Sequence, residues 1–450
     1  MAEMAKTPRF TKEEIIRIVK EQNIRFVRLQ FTDIFGQCKN VAITESQLEK
    51  ALANKCMFDG SSIEGFVRIE ESDMYLYPDL DSFMIYPWKQ EHGKVARLIC
   101  DVHKTDGAPF EGDPRSILRR ILAEAAKMGF TFNVGPECEF FLFQTDDEGY
   151  PTTTTIDHGS YFELGPVDRG EDARRDICLT LEDMGFEIEA SHHECAPGQH
   201  EIDFKYSEAL TAADNIMTFK LAVKSIAERH KLHATFMPKP LFNEAGSGMH
   251  INMSSLPGTA KMYSRTLAIP MDFLKIAYHF IAGIMDHAKG MTAITNPIVN
   301  SYKRLVPGYE APVYIAWSAQ NRSPLVRVPA ARGAGTRIEL RNPDPSANPY
   351  LVLAVCLAAG LDGIKRELMP PASTDSNVFK LTDDEREAMG IENIPDNLDR
   401  AVRAMKKDSL IHRTLGSHAF MKYVAYKQKE WNQYRNVVTE WEIKNYLSRY

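Results

Sequence analysis

Six side chains able to bind a metal ion fall into four short segments, each of which reads as a β-strand. They are Glu137 and Glu139 in GPECEFFLF, Glu194 and Glu201 in HHECAPGQHEIDF, His250 in GSGMHINM, and Glu339 in TRIELR. Acidic residues are poor strand formers, and a buried carboxylate is costly unless it is paired or bound to metal. The adjoining Phe140-Phe141-Leu142-Phe143 run, and Ile202 with Phe204, have the character of buried strand. The chain therefore sets negative charge where folding disfavours it, which asks for a cation. The competing reading is a set of solvated edge residues with unrelated roles.

Part of the geometry follows from strand alternation. Residues two apart share a face, so Glu137 and Glu139 point one way with Cys138 opposite. Ala196-Pro197-Gly198-Gln199 suits a type II turn, with proline second and glycine third. A hairpin closed there pairs Cys195 with His200 and sets Glu194 across from Glu201. Cβ atoms so placed lie roughly 4.5–5.5 Å apart, where like charges repel; a shared divalent ion converts that repulsion into coordination. Oxygen ligands with one imidazole suit magnesium or manganese better than zinc. The same alternation turns Cys138 and Cys195 away from the ligands, into core packing.

At 450 residues the chain has room for two or three domains. A net charge of −7 argues against nucleic acid as a direct partner. Seven cysteines without a CxxC pair fit free thiols in a reducing cytoplasm. The longest apolar run, Tyr350 to Leu361, falls far short of the ~20 residues of a membrane span, and no apolar signal region follows Lys6 and Arg9. Thr11-Lys12-Glu13-Glu14 has the pattern of a capping box opening a helix, and Val27, Leu29 and Phe31 alternate as a half-buried strand. A glycine and proline cluster between Asp106 and Pro114 reads as a linker, with a helix from Arg115 to Met128 beyond it. After about residue 365 the pattern is mostly helical.

Gly60 to Gly65 has the spacing of a phosphate loop, but Phe66 stands where lysine should follow, and no G-x-G-x-x-G opens a helix. Any nucleotide must then be held by metal and arginine. Arg322, Arg327, Arg332, Arg337 and Arg341 crowd a stretch whose single acid is Glu339, with Arg304 shortly before. Guanidinium forks match carboxylate and phosphate oxygens in pairs. Metal and arginine around a small acidic or phosphorylated substrate are the equipment of phosphoryl transfer; a solvated basic surface is the alternative.

In order along the chain, FDGSSIEGF (58–66), GPECEFFLF (135–143), ASHHECAPGQHEIDF (190–204), KPLFNEAGSGMH (239–250), NSYKRLVPGYEAP (300–312) and the run from Asn321 to Tyr350 together resemble the bacterial type I glutamine synthetases. The resemblance implies an α+β protein: an N-terminal β-grasp domain (1–105), a linker (106–114), and a catalytic domain (115–450). The latter would be an α/β half-barrel with antiparallel metal-bearing strands, ending in a helical inter-ring segment. It implies a homo-oligomer, a dodecamer of two hexameric rings with active sites between neighbouring subunits. It further implies ATP-dependent ligation of ammonium to L-glutamate through γ-glutamyl phosphate, with two or more Mg2+ or Mn2+ ions per site. By matched position, Glu139, Glu194 and Glu201 bind one ion, and Glu137, His250 and Glu339 the other. Arg322, Arg327 and Arg341 neutralise the transferring phosphoryl group, and Asp59 and Glu310 move protons. Gly246, Arg304, Glu310, Arg322 and Arg341 contact glutamate. Glu189, Asn252, Ser254, Arg322, Arg327 and Arg337 contact ATP.

Arg68 matches an arginine linked to feedback inhibition by glutamine in the non-adenylylated branch, whose members are implicated in binding transcriptional regulators. Phe379 stands where adenylylated enzymes carry tyrosine, so that modification is not expected. Ala245 stands where asparagine is common, which bears on glutamate binding if a side chain is used there. Two other readings share these residues: a γ-glutamyl ligase for another amine, and a regulatory scaffold without catalysis.

Overall fold

The first helix, α1 (Lys12–Glu21), opens as its sequence predicts. The Thr11 hydroxyl accepts from the Glu14 N–H and the Glu14 carboxylate accepts from the Thr11 N–H. In the computed structural model the described residues are 9–63, 65, 72–88, 92–257, 271–308, 311–319, 321–331, 335–374 and 376–450. Arg68, Glu310 and Arg332 lie outside them.

Ile15 and Val19 turn the buried face of α1 onto a sheet. Its strands are β1 (Ile24–Thr32), β2 (Cys38–Thr44), β3 (Cys56–Asp59), β4 (Asp73–Pro78), β5 (Met84–Ile85) and β6 (Lys94–His103). The order is β2-β1-β6-β4-β3, with β5 beside β6; β1 and β6 run parallel, and the other pairs antiparallel. Val27, Leu29 and Phe31 point inward, joining Leu76, Leu98 and Val102 in one core. This is a β-grasp domain, as expected.

Asp113 caps the next helix, α2 (Pro114–Lys127), its carboxylate accepting from the Arg115 and Ser116 N–H groups. The long strand β7 (Phe130–Thr145) follows, then β8 (Pro151–Thr155), α3 (Glu171–Asp183), β9 (Ile188–His193), β10 (Gln199–Phe204), β11 (Ser207–Glu208), α4 (Ala209–Arg229), β12 (Leu232–Thr235) and β13 (Met249–Pro257). After α5 (Met271–Thr295) come the short pieces β14 (Tyr314–Ile315), β15 (Trp317–Ser318), β16 (Val326–Arg327) and β17 (Ile338–Leu340), and then α6 (Pro349–Lys365). The second sheet runs β15-β16-β17-β13-β7-β10-β9, with β8, β11 and β12 attached to β7. Its pairs are antiparallel except β15 with β16.

Curling makes this sheet a half-barrel. Helices α2 and α4 pack on β7, and α5 and α6 cross behind. They cross closely because glycines meet: a Cβ on Gly363 would stand 2.0 Å from the His279 carbonyl oxygen. Beyond α6, helices predominate among the described residues, ending in Glu440–Tyr446. Phe379 packs its ring 5.8 Å from Tyr314.

Candidate active site

The register of the curled sheet brings its acids to one face. Glu137 lies opposite His250 on β13 and opposite Asp203 on β10; Glu139 lies opposite Glu201. Two residues beyond His250, Asn252 lies opposite Glu339 on β17. Directly opposed residues share a face, so four strands deliver Glu137, Glu139, Glu201, Asp203, His250, Asn252 and Glu339 to a common surface.

The contacts there are close. His250 Nδ1 is 3.1 Å from Glu137 Oε2, and Asn252 donates to Glu137 Oε1 at 2.9 Å. Glu139 Oε2 accepts from Gln199 Nε2 and from the Gly248 N–H, both at 2.9 Å. One ligand atom each from Glu137, Glu201 and His250 lie within 4.8 Å of one another, as do one each from His192, Glu194 and Glu201. Burial, then Glu139, Asp203, Glu137 and Glu194, push the Glu201 carboxyl far above the usual carboxylate range. Burial and the neighbouring glutamates raise Asp203 to about 7. Burial works against ionisation of Glu137 too, but hydrogen bonds from His250 and Asn252 outweigh it and hold its carboxyl low. Carboxylates crowded in this way fit divalent cations, and their oxygen-rich donor set with imidazole fits magnesium or manganese.

The turn falls where expected but the register does not. Gln199 N–H donates to the Ala196 carbonyl, with Gly198 at φ +66°, as a type II turn requires. Yet the Glu194 N–H pairs with the Gln199 carbonyl at 2.7 Å, and His192, not Glu194, sits opposite Glu201. Cys195 lies with Ala196, Pro197 and Gly198 in a four-residue loop, which shifts the ladder by two and so keeps each residue on its face. Glu194 and Glu201 still share a face, now diagonally, with His192 between them: Nδ1 is 3.4 Å from Glu194 and Nε2 is 3.3 Å from Glu201. The longer loop also corrects the packing expected of Cys195, which is exposed; Cys138 is buried.

The arginines close the other side. Arg327 donates to Glu339 Oε2 at 2.8 Å and Arg341 to Glu339 Oε1 at 3.0 Å. Arg327 Nε and Arg341 Nη1 are buried without a hydrogen-bond partner, which suits an anionic ligand. Arg337 donates to Asn252 Oδ1 at 2.9 Å, and exposed Arg322 reaches the Tyr161 hydroxyl. Arg304 is buried under Gly246 and Gly248 and donates to the Asn342, Pro343 and Arg341 carbonyls. Ala245 packs on Phe141, Phe143 and Ala196. Ser254 lies on β13 and exposed Glu189 on β9. Asp59 is exposed at the end of β3, its carboxylate accepting from the Ser61 N–H.

Sequence reasoning missed His192, Gln199 and Asp203. The doublet His192-His193 was a signal for the first, once a four-residue loop is allowed. A further buried group, Asp157, Asp168, His193 and His200, has metal-ligand spacing. Arg174 fills the role of its cation, donating to Asp168 at 2.7 Å and meeting His200 Nδ1 at 3.0 Å, so that cluster is compensated internally.

Known relatives match nearly the whole chain. Residues 111–446 match the family described as glutamine synthetase, catalytic domain, and residues 23–105 match glutamine synthetase, beta-grasp domain. The chain is 63% identical to a glutamine synthetase of Clostridium saccharobutylicum over 98% of its length and 100% of the relative's. It is 58% identical to one from Staphylococcus aureus (strain N315), covering 98% and 99%. A solved structure described as a GmaS/ADP complex superposes with a TM-score of 0.86 at 35% identity, covering 96% and 99%. A Plasmodium falciparum glutamine synthetase shares the fold at a TM-score of 0.85 and 24% identity, covering 98% and 100%. With its β-grasp domain, its half-barrel and its acidic cleft accounted for together, the chain belongs to the glutamine synthetase family and is a glutamate–ammonia ligase, making glutamine from glutamate and ammonia with ATP.

Proposed function

We propose that the reaction runs on the acidic face of the half-barrel with the residue roles that follow. The observation that carries this reading is the convergence of Glu137, Glu139, Glu201 and His250 beside Arg327 and Arg341. Glu139, Glu194 and Glu201 would hold one Mg2+ or Mn2+ ion, with His192 alongside, and Glu137, His250 and Glu339 another. When bound, such ions supply positive charge to the ATP phosphates. Glu189, Asn252, Ser254 and Arg337 hold the nucleotide. Gly246 and Arg304 seat glutamate, whose γ-carboxylate attacks the ATP γ-phosphate to give γ-glutamyl phosphate and ADP. Arg322, Arg327 and Arg341 neutralise the transferring group, and the spare donors of the last two support that role.

Ammonium must lose a proton before it can displace phosphate. Asp59, from an adjacent subunit, is the base for that step, and its exposure leaves it free to serve a neighbour. Glu310 takes the second proton and screens the acyl phosphate from water. Ala245 leaves glutamate contact to the backbone, consistent with its packing on apolar neighbours. We assign residues 1–105 to the β-grasp unit, 106–114 to the linker and 115–450 to the catalytic unit. The enzyme works as a cytoplasmic dodecamer, inhibited by glutamine through Arg68 and able to engage transcriptional regulators.

One assay tests the reading: phosphate release from ATP with glutamate, with and without ammonium, across divalent metal concentrations. Glutamine formation that needs ammonium and Mg2+ or Mn2+, and falls at least a thousandfold in Glu201→Ala, is expected. Added glutamine should inhibit wild type and not Arg68→Ala. Metal-dependent turnover undiminished in Glu201→Ala would overturn the site.

A further inference from the structure

Gln199 is a fully buried amide whose polar atoms are all engaged, each by a different part of the molecule. Its Oε1 accepts from the Ala196 N–H at 3.1 Å, which fixes the turn it belongs to. Its Nε2 donates to Glu139 Oε2 at 2.9 Å and to the Gly246 carbonyl at 3.3 Å. Because the oxygen must face a backbone N–H, the two nitrogen hydrogens are committed to a carboxylate and a carbonyl, so the amide has no alternative orientation. The Gln199 carbonyl also receives the Glu194 N–H at 2.7 Å. One residue thus touches the hairpin carrying Glu194, the carboxylate of Glu139, and the loop carrying Gly246.

The Gly246–Gly248 loop is tied to Glu139 a second time. Gly248 N–H donates to Glu139 Oε2, and Glu139 N–H donates back to the Gly248 carbonyl at 3.1 Å. The backbone pair fixes where the strand and loop meet, and of these ties to Glu139 the Gln199 fork is the one that reaches Gly246. A carboxylate oxygen that turns toward a cation must adjust its hydrogen bonds. With Nε2 shared, any adjustment at Glu139 is felt at the Gly246 carbonyl, and the reverse.

We propose that Gln199 is a positioning residue that couples cation binding at Glu139 to glutamate binding at Gly246, so that each ligand strengthens the other. The inference rests on the assignment of Glu139 to an ion and Gly246 to glutamate made above. Linkage requires the effect to be reciprocal. It also gives the buried amide a reason to be polar, since an apolar residue of the same size would fill the space without two donors to satisfy.

The test uses the intact oligomer and reads binding rather than turnover. Glutamate affinity is measured by calorimetry with and without Mn2+ and without nucleotide, and Mn2+ affinity by electron paramagnetic resonance with and without glutamate. In wild type, each ligand should tighten the other by roughly tenfold, about 1.4 kcal/mol. Gln199→Met keeps the volume and loses all three side-chain bonds. Gln199→Glu keeps the acceptor for Ala196 and with it the turn, and replaces the two donors by a second oxygen that faces the Glu139 carboxylate and the Gly246 carbonyl. Both should reduce the coupling to within about twofold of none, and both should raise the KM for glutamate more than they lower kcat.

Wild-type coupling retained in either variant would overturn the inference, as would a wild-type enzyme in which the ligands bind independently. Glu139→Gln separates the inference from its foundation. If it binds Mn2+ as tightly as wild type, the ion assignment fails; if it loses Mn2+ while Gln199→Met still couples, only the role of Gln199 fails.

Discussion

At the scale of single residues the cleft is defined by carboxylates that cannot all be charged. Glu201 is 7% exposed and faces Glu139, Asp203, Glu137 and Glu194. An ordinary glutamate ionises near pH ~4.3; burial and these neighbours push Glu201 far above that. Protons and divalent ions therefore compete for the same oxygens, and ion binding must expel protons. Calorimetric Mn2+ titrations at pH 7.5 in two buffers of different ionisation enthalpy should show about one proton released per active site. Affinity should fall as pH drops from ~8 to ~6, because acid restores the competitor. Glu201→Gln should release fewer protons and bind more weakly, and release unchanged by that substitution would contradict the competition. The acids were legible in sequence because charge inside apolar runs is anomalous. Gln199 and His192 were not, since a neutral polar residue in a half-polar segment has no such contrast and gains meaning only from its partners.

At the scale of elements, the most informative piece is the hairpin joining β9 to β10. Proline and glycine at the middle positions identified its turn, and alternation identified its strands. What alternation cannot reveal is the length of the loop: Cys195 obeys no pattern that separates a strand residue from a loop residue, and a shift of two moves His192 opposite Glu201. The Thr11–Glu14 capping box and the proline-started helix were legible because their signals are local. The hairpin register depends on contacts made elsewhere, chiefly Gly198 N–H to the Asp157 carboxylate and Leu142 N–H to the Gly198 carbonyl. Gly198 allows both, being at φ +66° with space for no Cβ: one added there would lie 2.8 Å from the Leu142 carbonyl oxygen. Gly198→Ala should cost about 1–3 kcal/mol in stability. Because the strain falls between the turn and β7, it should also weaken Mn2+ binding. A melting temperature and a Mn2+ affinity both equal to wild type would show that the hairpin tolerates another turn geometry.

At the scale of the whole molecule, the two sheets are joined by buried charge. Arg115, at the start of α2, donates to Asp101 in the first sheet, to Asp79 just past its strand β4, and to Asp214 from α4, and Tyr350 closes the network on Asp214. Those bonds fix the β-grasp unit on the half-barrel, and with it Asp59 at the exposed end of β3. The outer surface ends differently. The helix Glu440–Tyr446 is capped by its own Thr439–Glu442 box but contains no buried residue. Trp441, Leu447 and Tyr450 are 62%, 73% and 101% exposed, beside Val437, Val438 and Ile443. A helix with sound caps and an uncovered apolar face is built to pack on something beyond its own chain. The proposed stacking of two rings supplies a second copy of the same face, and an isologous contact buries like against like. Truncation after Arg435 should then halve the particle mass measured by sedimentation. Turnover should stay within about twofold of wild type, because sites shared within a ring are untouched by separating the rings. Particles of unchanged mass would assign this face to another partner, and lost turnover at half mass would mean that the ring itself depends on the neighbour above it.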